Sequence, residues 1–318
     1  MPTKPSNEIY RALSSKTQIA HYTPDPNQNL PAEYQVTGVS IGDVGTWNEG
    51  SFEVIFNGCW SANHPINNNV VPDDFTNFPL GTRDVSKRSF YAPGSIIASA
   101  KVTKMSLTAG ASSLVTPTFP ATLGSTVTFN LQSKECAILV LPEGATRERL
   151  LPLEKFRKHV AKQAQEWYAL AGDRLAPKDH LFVVTGCDKA ASWGIATAST
   201  TSGGVSASLR FTVVGVAGAS LSPQYEWQDF GSATVRTSRD RGLPRTENQS
   251  IFIRGFFVPK KAPLLALTLG RFRALWDVIP RARGRMSLVI GSTIENPTDD
   301  GENGMTVSTT EWDIPACD

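Results

Sequence analysis

Most of this chain reads as strand, because apolar residues either alternate with polar ones or run together in short blocks. SIIASAKVTKM (95–105) and STVTFNLQS (125–133) alternate with a period of two. CAILVLP (136–142) is a continuous apolar run, the pattern of a strand covered on both faces. LFVVTG (181–186) predicts another strand. WGIATAS (193–199) and VSASLRFTVV (205–214) flank TTSGG, which predicts a hairpin. In its second strand Val205, Ala207, Leu209, Phe211 and Val213 share one face, and Ser206, Ser208, Arg210 and Thr212 the other. QYEWQDFGSATVRTS (224–238) and SIFIRGFFV (250–258) predict further strands, with Gly231 marking a bulge in the first. Nearer the start, VTGVSIGDVG and SFEVIF are short strand-like runs. Residues 61–94, with three consecutive Asn and four Pro, predict loop.

One segment carries the helical period instead. Over 152–171, Phe156, Val160, Ala164, Trp167 and Ala171 fall on one stripe. Pro152 suits the first turn, and Gly172 suits the left-handed position past the end. One long helix that does not alternate with the strands predicts an α+β fold. The expectation is a largely antiparallel twisted β-sheet with one main amphipathic helix (152–171) and few short helices. Residues 1–33, rich in Pro, Asn and Ser, read as an N-terminal arm, and 34–258 as the α+β core. Residues 259–318 read as a C-terminal basic segment and acidic tail.

Composition narrows the classes. The 318 residues carry 31 Lys+Arg against 29 Asp+Glu, a net charge of +2. With 40% hydrophobic and 19% charged residues the chain can build a core. Near balance gives no reason to expect nucleic acid as a partner. No stretch approaches the ~20 apolar residues of a membrane-spanning helix, and the first thirty residues hold no apolar signal core. Four cysteines, Cys59, Cys136, Cys187 and Cys317, sit singly, so no CxxC metal or redox motif exists. Reduced thiols in the cytoplasm are the expectation.

The charge is laid out unevenly. Lys155, Arg157, Lys158 and Lys162 colour one side of the helix basic, either a solvated face or a contact surface for an anion. From Arg245 to Arg285 there are nine Lys and Arg against two acids. From Met286 to Asp318 there are seven acids and no Lys or Arg. Such a tail can pair with the basic block and mask it.

Motifs for catalysis are weak. GVSIG (38–42) matches the G-x-S-x-G nucleophile elbow at Ser40, but turn residues follow it where the elbow needs a helix. DDGENG (299–304) fails the ligand spacing of a calcium loop. His21, His64, His159 and His180 are scattered, so no metal site and no cofactor is expected. GCDKAASWG (186–194) is the most functional-looking loop: Trp193 there suits stacking on a sugar, insertion at a membrane interface, or a core anchor.

LPAEYQVTGVSIGDVG (30–45), LFVVTGCDKAASWG (181–194) and NQSIFIRGFFV (248–258) together resemble a family of predicted proteins from mushroom-forming fungi. That resemblance implies a fungal, cytoplasmic source. The layout also resembles the pore-forming domain of gasdermins: two strand pairs bracket one helix, and Gly172-Asp173 leads into HLFVVTG. It implies amphipathic strands that lengthen into a membrane barrel, basic residues that meet anionic lipid, a C-terminal part that masks them, and a homo-oligomer. The residues that match those roles are Lys155, Arg157, Lys158, Lys162, Leu209, Phe211 and Trp193. The expectation is thus a non-enzymatic, membrane-acting protein. A carbohydrate- or protein-binding module is the alternative, and a serine hydrolase using Ser40 the third reading.

Overall fold

The computed structural model describes residues 4–15, 17–99, 102–108, 124–131, 135–175, 180–199, 207–215, 223–229, 233–238, 246–258, 286–288 and 305–307. Its elements in chain order are α1 (Ser6–Tyr10), β1 (Ile19–Ala20), α2 (Ala32–Thr37), β2 (Asp43–Asn48), β3 (Ser51–Asn57), β4 (Val85–Tyr91) and β5 (Ser95–Ser99). Then come β6 (Val102–Thr108), β7 (Thr126–Leu131), β8 (Glu135–Leu141), β9 (Ala145–Leu150), α3 (Leu153–Ala171), β10 (Leu181–Ala190) and β11 (Gly194–Ser199). The chain continues through β12 (Ala207–Gly215), β13 (Pro223–Asp229), β14 (Thr234–Thr237), β15 (Gln249–Val258), β16 (Met286–Leu288) and β17 (Met305–Val307). The protein is α+β, with antiparallel sheets and one long helix.

The strands make three sheets. The first has the order β1-β15-β10-β2-β3, with β9 also on β10 and β4 on β9. It forks along β10: Phe182 and Val183 pair with β2, whereas Gly186 to Lys189 pair with β9. Against β15, β10 shifts register at this fork, between Val184 and Gly186, and again between Asp188 and Lys189. The second sheet runs β14-β11-β8-β5-β16 and the third β13-β12-β7-β6-β17.

The second and third sheets face each other as a sandwich. Ile96, Ile138, Val140 and Ala196 point in from one side, and Val127, Phe129, Leu209, Phe211, Val213 and Trp227 from the other. Several pairs of strands that follow one another in the chain belong to different sheets here. β5 and β6 belong to opposite sheets, as do β7 and β8, and β11 and β12. This corrects two expectations. The run 95–105 is two strands, not one, and 193–199 with 205–214 is not a hairpin. β11 pairs with β8 and β14, and β12 with β7 and β13. Period-two patterning and a Gly-Gly connection predict two strands joined by a turn, but they do not say whether the second strand pairs with the first or lies in another sheet.

Gly194 lies where these two sheets face each other. A Cβ there would overlap the Phe211 ring of the facing sheet. Gly194→Ala is expected to cost about 2 kcal/mol, as overpacking of a filled core does. Phe211→Leu in the same chain should return part of that loss in a denaturation measurement; if it adds to it instead, the contact is not the cause.

The second sheet is covered on both faces, which explains the continuous CAILVL run. Its other side, with Ile97, Leu139, Leu141 and Ile195, packs on α1 and on Ile251 and Phe252 of the first sheet. Ile9, Tyr10 and Leu13 from the N-terminal segment are buried in that core. The far side of the first sheet receives α3. Its buried residues are Phe156, Val160, Ala164, Trp167 and Ala171, the stripe read from the sequence. They meet Val44, Phe56, Leu181, Val183, Phe256 and Val258. The helix ends at Gly172, whose φ is 45°.

Two further readings are corrected. VTGVSIGDVG is not a strand from its start: α2 ends at Thr37, a turn follows, and β2 begins at Asp43. The 61–94 segment is not all loop, for it contains β4.

Candidate functional site

Three groups of polar side chains are candidates, and α3 supplies the first. Because its apolar stripe faces the sheet, Lys155, Lys158 and Lys162 are exposed. They are three and four residues apart and so line one side of the helix. Among the described residues no carboxylate forms an ion pair with any of them. Arg157 differs: it is half-buried, pairs with Glu154 at 2.6 Å, and sits over the Phe256 ring at 5.7 Å. Leu151, just before the helix, is 49% exposed.

The second group is a charge network inside the fork of the first sheet. Asp188 is fully buried. It accepts from Arg147 Nε and Nη2, both at 2.9 Å, and from Arg254 Nη2 at 2.7 Å. Gln18 Oε1 accepts from both arginines, at 3.3 and 3.2 Å. Glu148 takes Lys189 at 3.1 Å and Lys87 at 3.2 Å. Burial alone would raise the Glu148 carboxyl, but Lys189 and Lys87 outweigh it and hold it below its ordinary value. Against β9 the register is unbroken, so ordinary strand alternation puts Asp188 and Lys189 on opposite faces, Asp188 directly across from Arg147 and Lys189 diagonal to Glu148.

The third group surrounds the GVSIG turn. Asp43 is buried, and its carboxylate accepts from the Tyr34 hydroxyl, from Asn57 Nδ2 at 2.7 Å and from the Ser40 backbone at 2.7 Å. Burial raises its pKa to about 6, against the pull of those donors and of Lys189. Close by, His21 Nε2 accepts from the Phe52 N–H at 3.1 Å, so Nδ1 carries the proton and donates to the Ser250 carbonyl at 2.8 Å. Burial lowers its pKa to about 4. His21, Tyr34, Gly38 and Phe52 share the wall of a cavity of about 20 Å³, room for one water.

The structure separates the sequence-predicted residues. Lys155, Lys158 and Lys162 lie together on the surface, with Arg157 beside them. Leu209 and Phe211 are buried in the sandwich, on the side facing the second sheet. Trp193 is fully buried against the α1 core, with Arg236 over its ring at 5.6 Å. The supposed GCDKAASWG loop is largely the end of β10, and its Asp188 and Lys189 belong to the buried network.

Ser40 is no nucleophile elbow: α2 precedes it, a turn and β2 follow it, and its hydroxyl donates to the Gly38 carbonyl at 3.1 Å. None of its hydrogen bonds involves a histidine. Burial pushes the Cys187 thiol up to about 12, which keeps it protonated near neutral pH. Among the described residues no three His, Cys, Asp or Glu are grouped to hold a metal ion, and no helix is long and apolar enough to cross a membrane. The basic segment 259–285, the TTSGG connection, Gly231, DDGENG and all of the acidic tail but Met286–Leu288 and Met305–Val307 lie outside the described residues.

Sequence reasoning missed the Asp43 cluster and the partners of Asp188. A signal for the second was present: charged residues inside apolar strand runs, Arg254 in SIFIRGFFV and Asp188-Lys189 after LFVVTGC, need opposite charges nearby. Compared with known proteins, the chain matches no family model, no curated protein and no solved structure.

Proposed function

We propose that this is a non-enzymatic cytoplasmic protein that docks on anionic membrane lipid through the outer side of α3. The observation that carries this reading is the stripe of Lys155, Lys158 and Lys162, exposed and without carboxylate partners among the described residues. A basic side chain near an anionic leaflet contributes about 1 kcal/mol, and an apolar one such as Leu151 adds burial in the headgroup layer. The third sheet is the source of amphipathic strands in a gasdermin-like mechanism. Within β12, Leu209, Phe211 and Val213 face inward, while Arg210 faces solvent. Those apolar residues are shut inside the sandwich, so any insertion requires the two sheets to part. Docking and insertion are therefore separate steps: tail masking of basic residues would act on the first, and assembly of several copies on the second.

Vesicle sedimentation tests the docking step. Changing Lys155 and Lys158 together to Ala removes about 2 kcal/mol of lipid attraction, an expected loss of roughly 30-fold in partitioning to vesicles containing phosphatidylserine. Binding should also weaken as salt rises, because exposed charges are screened over ~8 Å at physiological ionic strength. Salt-insensitive binding, equal binding to neutral vesicles, or no effect of the double substitution would exclude α3 as the docking face.

A further inference from the structure

The strand β4 ends one branch of the first sheet: among the described residues it pairs with β9 and with nothing else. Its other edge therefore presents backbone N–H and C=O groups outward, a template for one more strand. β4 is also unusual in exposure, since Lys87, Arg88, Ser89 and Phe90 are all exposed although successive residues point to opposite faces.

The two faces differ in charge. On one, Lys87 stands opposite Glu148 and pairs with it. On the other, Arg88 stands opposite Arg147, and Ser86 opposite Arg149. Like charges directly opposite are unfavourable, and Asp188 relieves only one member of this set by binding Arg147. Among the described residues, exposed Arg88 and Arg149 have no carboxylate partner. Phe90, 51% exposed, lies on the same face with the Arg147 guanidinium 3.1 Å from its ring centre.

We propose that the β4 edge is a docking site for an extended acidic peptide segment of another protein, added as a further antiparallel or parallel strand. The backbone edge supplies the pairing. Arg88 and Arg149 select carboxylates on alternate residues of the incoming strand, and Phe90 offers a flat apolar contact at the far end. Charge also decides against a second copy of this chain, because β4 beside β4 would bring Lys87 and Arg88 against their equivalents.

The test uses the full chain and a synthetic ten-residue peptide of alternating Glu and Thr, followed by fluorescence anisotropy. The alternating Lys and Thr peptide should bind at least tenfold more weakly. Two N-methylated forms of the acidic peptide block alternate sets of amides. Only the set facing β4 donates to it, so one form should lose at least tenfold in affinity and the other little. Arg88→Glu should lower affinity for the acidic peptide by tenfold or more. It should leave the melting temperature unchanged or raised, because it removes the like charge facing Arg147. Equal binding of both N-methylated forms would show charge attraction without strand pairing and overturn the proposal. Binding unaffected by Arg88→Glu, or self-association through β4, overturns it as well. Vesicle binding by α3 is read separately, and Arg88→Glu is expected to leave it intact.

Discussion

Asp188→Ala is expected to cost about 3–5 kcal/mol of folding stability, the range for breaking a buried ion pair by removing one partner. Asp188 holds two guanidinium groups, and three adjacent strands contribute one member each: Arg147 from β9, Asp188 from β10 and Arg254 from β15. Without the carboxylate, Arg147 and Arg254 converge on Gln18 alone among these partners, two like charges in a desolvated place. The cost is one of leaving charge uncompensated, not of losing attraction. The same physics predicts that changing Asp188 to Leu together with Arg147 and Arg254 to Met recovers much of the loss, since an apolar set of similar volume needs no partners. Arg147 is partly exposed, which draws the value for its own replacement toward the lower end of the range. Chemical denaturation of the single and triple variants decides the matter. A loss under about 1 kcal/mol for Asp188→Ala would mean that water or neighbouring groups already satisfy the arginines.

The second large effect is a pair of opposed pH dependences. His21 titrates near 4 in the folded protein against an ordinary 6.5, because burial disfavours the imidazolium. The unfolded chain then binds the extra proton, so the stability His21 contributes is complete above pH 6.5 and is lost as pH falls to about 4. Asp43 runs the other way, titrating near 6 against an ordinary 3.8. Here the folded protein holds the proton more tightly, so the contribution is complete below pH 3.8 and is lost as pH rises to about 6. Each slope spans on the order of 3 kcal/mol, and between about pH 4 and 6 they cancel. Asp43→Asn should therefore unmask a fall in stability on acidification, and His21→Gln a fall on raising pH over the same window. Other carboxylates, Glu148 among them, contribute equally to every variant, so the readout is each variant's slope against the unsubstituted protein. Profiles that run parallel in all three would show that neither group titrates differently on folding.

How far the sequence was legible depends on the range of the interaction. The α3 stripe was readable to within a residue at its start, because a helix satisfies its backbone within itself and its apolar period needs only one flat partner. The same local rule left Lys155, Lys158 and Lys162 outside. CAILVL was readable as a doubly covered strand because every one of its side chains is apolar. β4 was not readable: VSKRSFY has no apolar alternation, and it is a strand only because β9 lies beside it with a matching ladder. Likewise Asp43, in a sequence that looks like turn, becomes a buried carboxylate only when α2 brings Tyr34 and β3 brings Asn57 to it.

By itself, then, the amino-acid sequence determined the secondary structure of its strongly periodic segments, the α+β class and the basic side of α3, since these follow from period, propensity and local charge. The tertiary structure alone decided that the strands around residue 200 belong to facing sheets, that Leu209, Phe211 and Trp193 are buried in the core, and that Asp188 and Lys189 are ion-paired inside the first sheet. Each of those outcomes depends on which strand lies beside or above another. That choice is made by long-range burial and charge compensation: the sequence marks Arg254 and Asp188 as charges that need partners, but which remote residue, such as Arg147, supplies each partner is fixed only when the chain has folded.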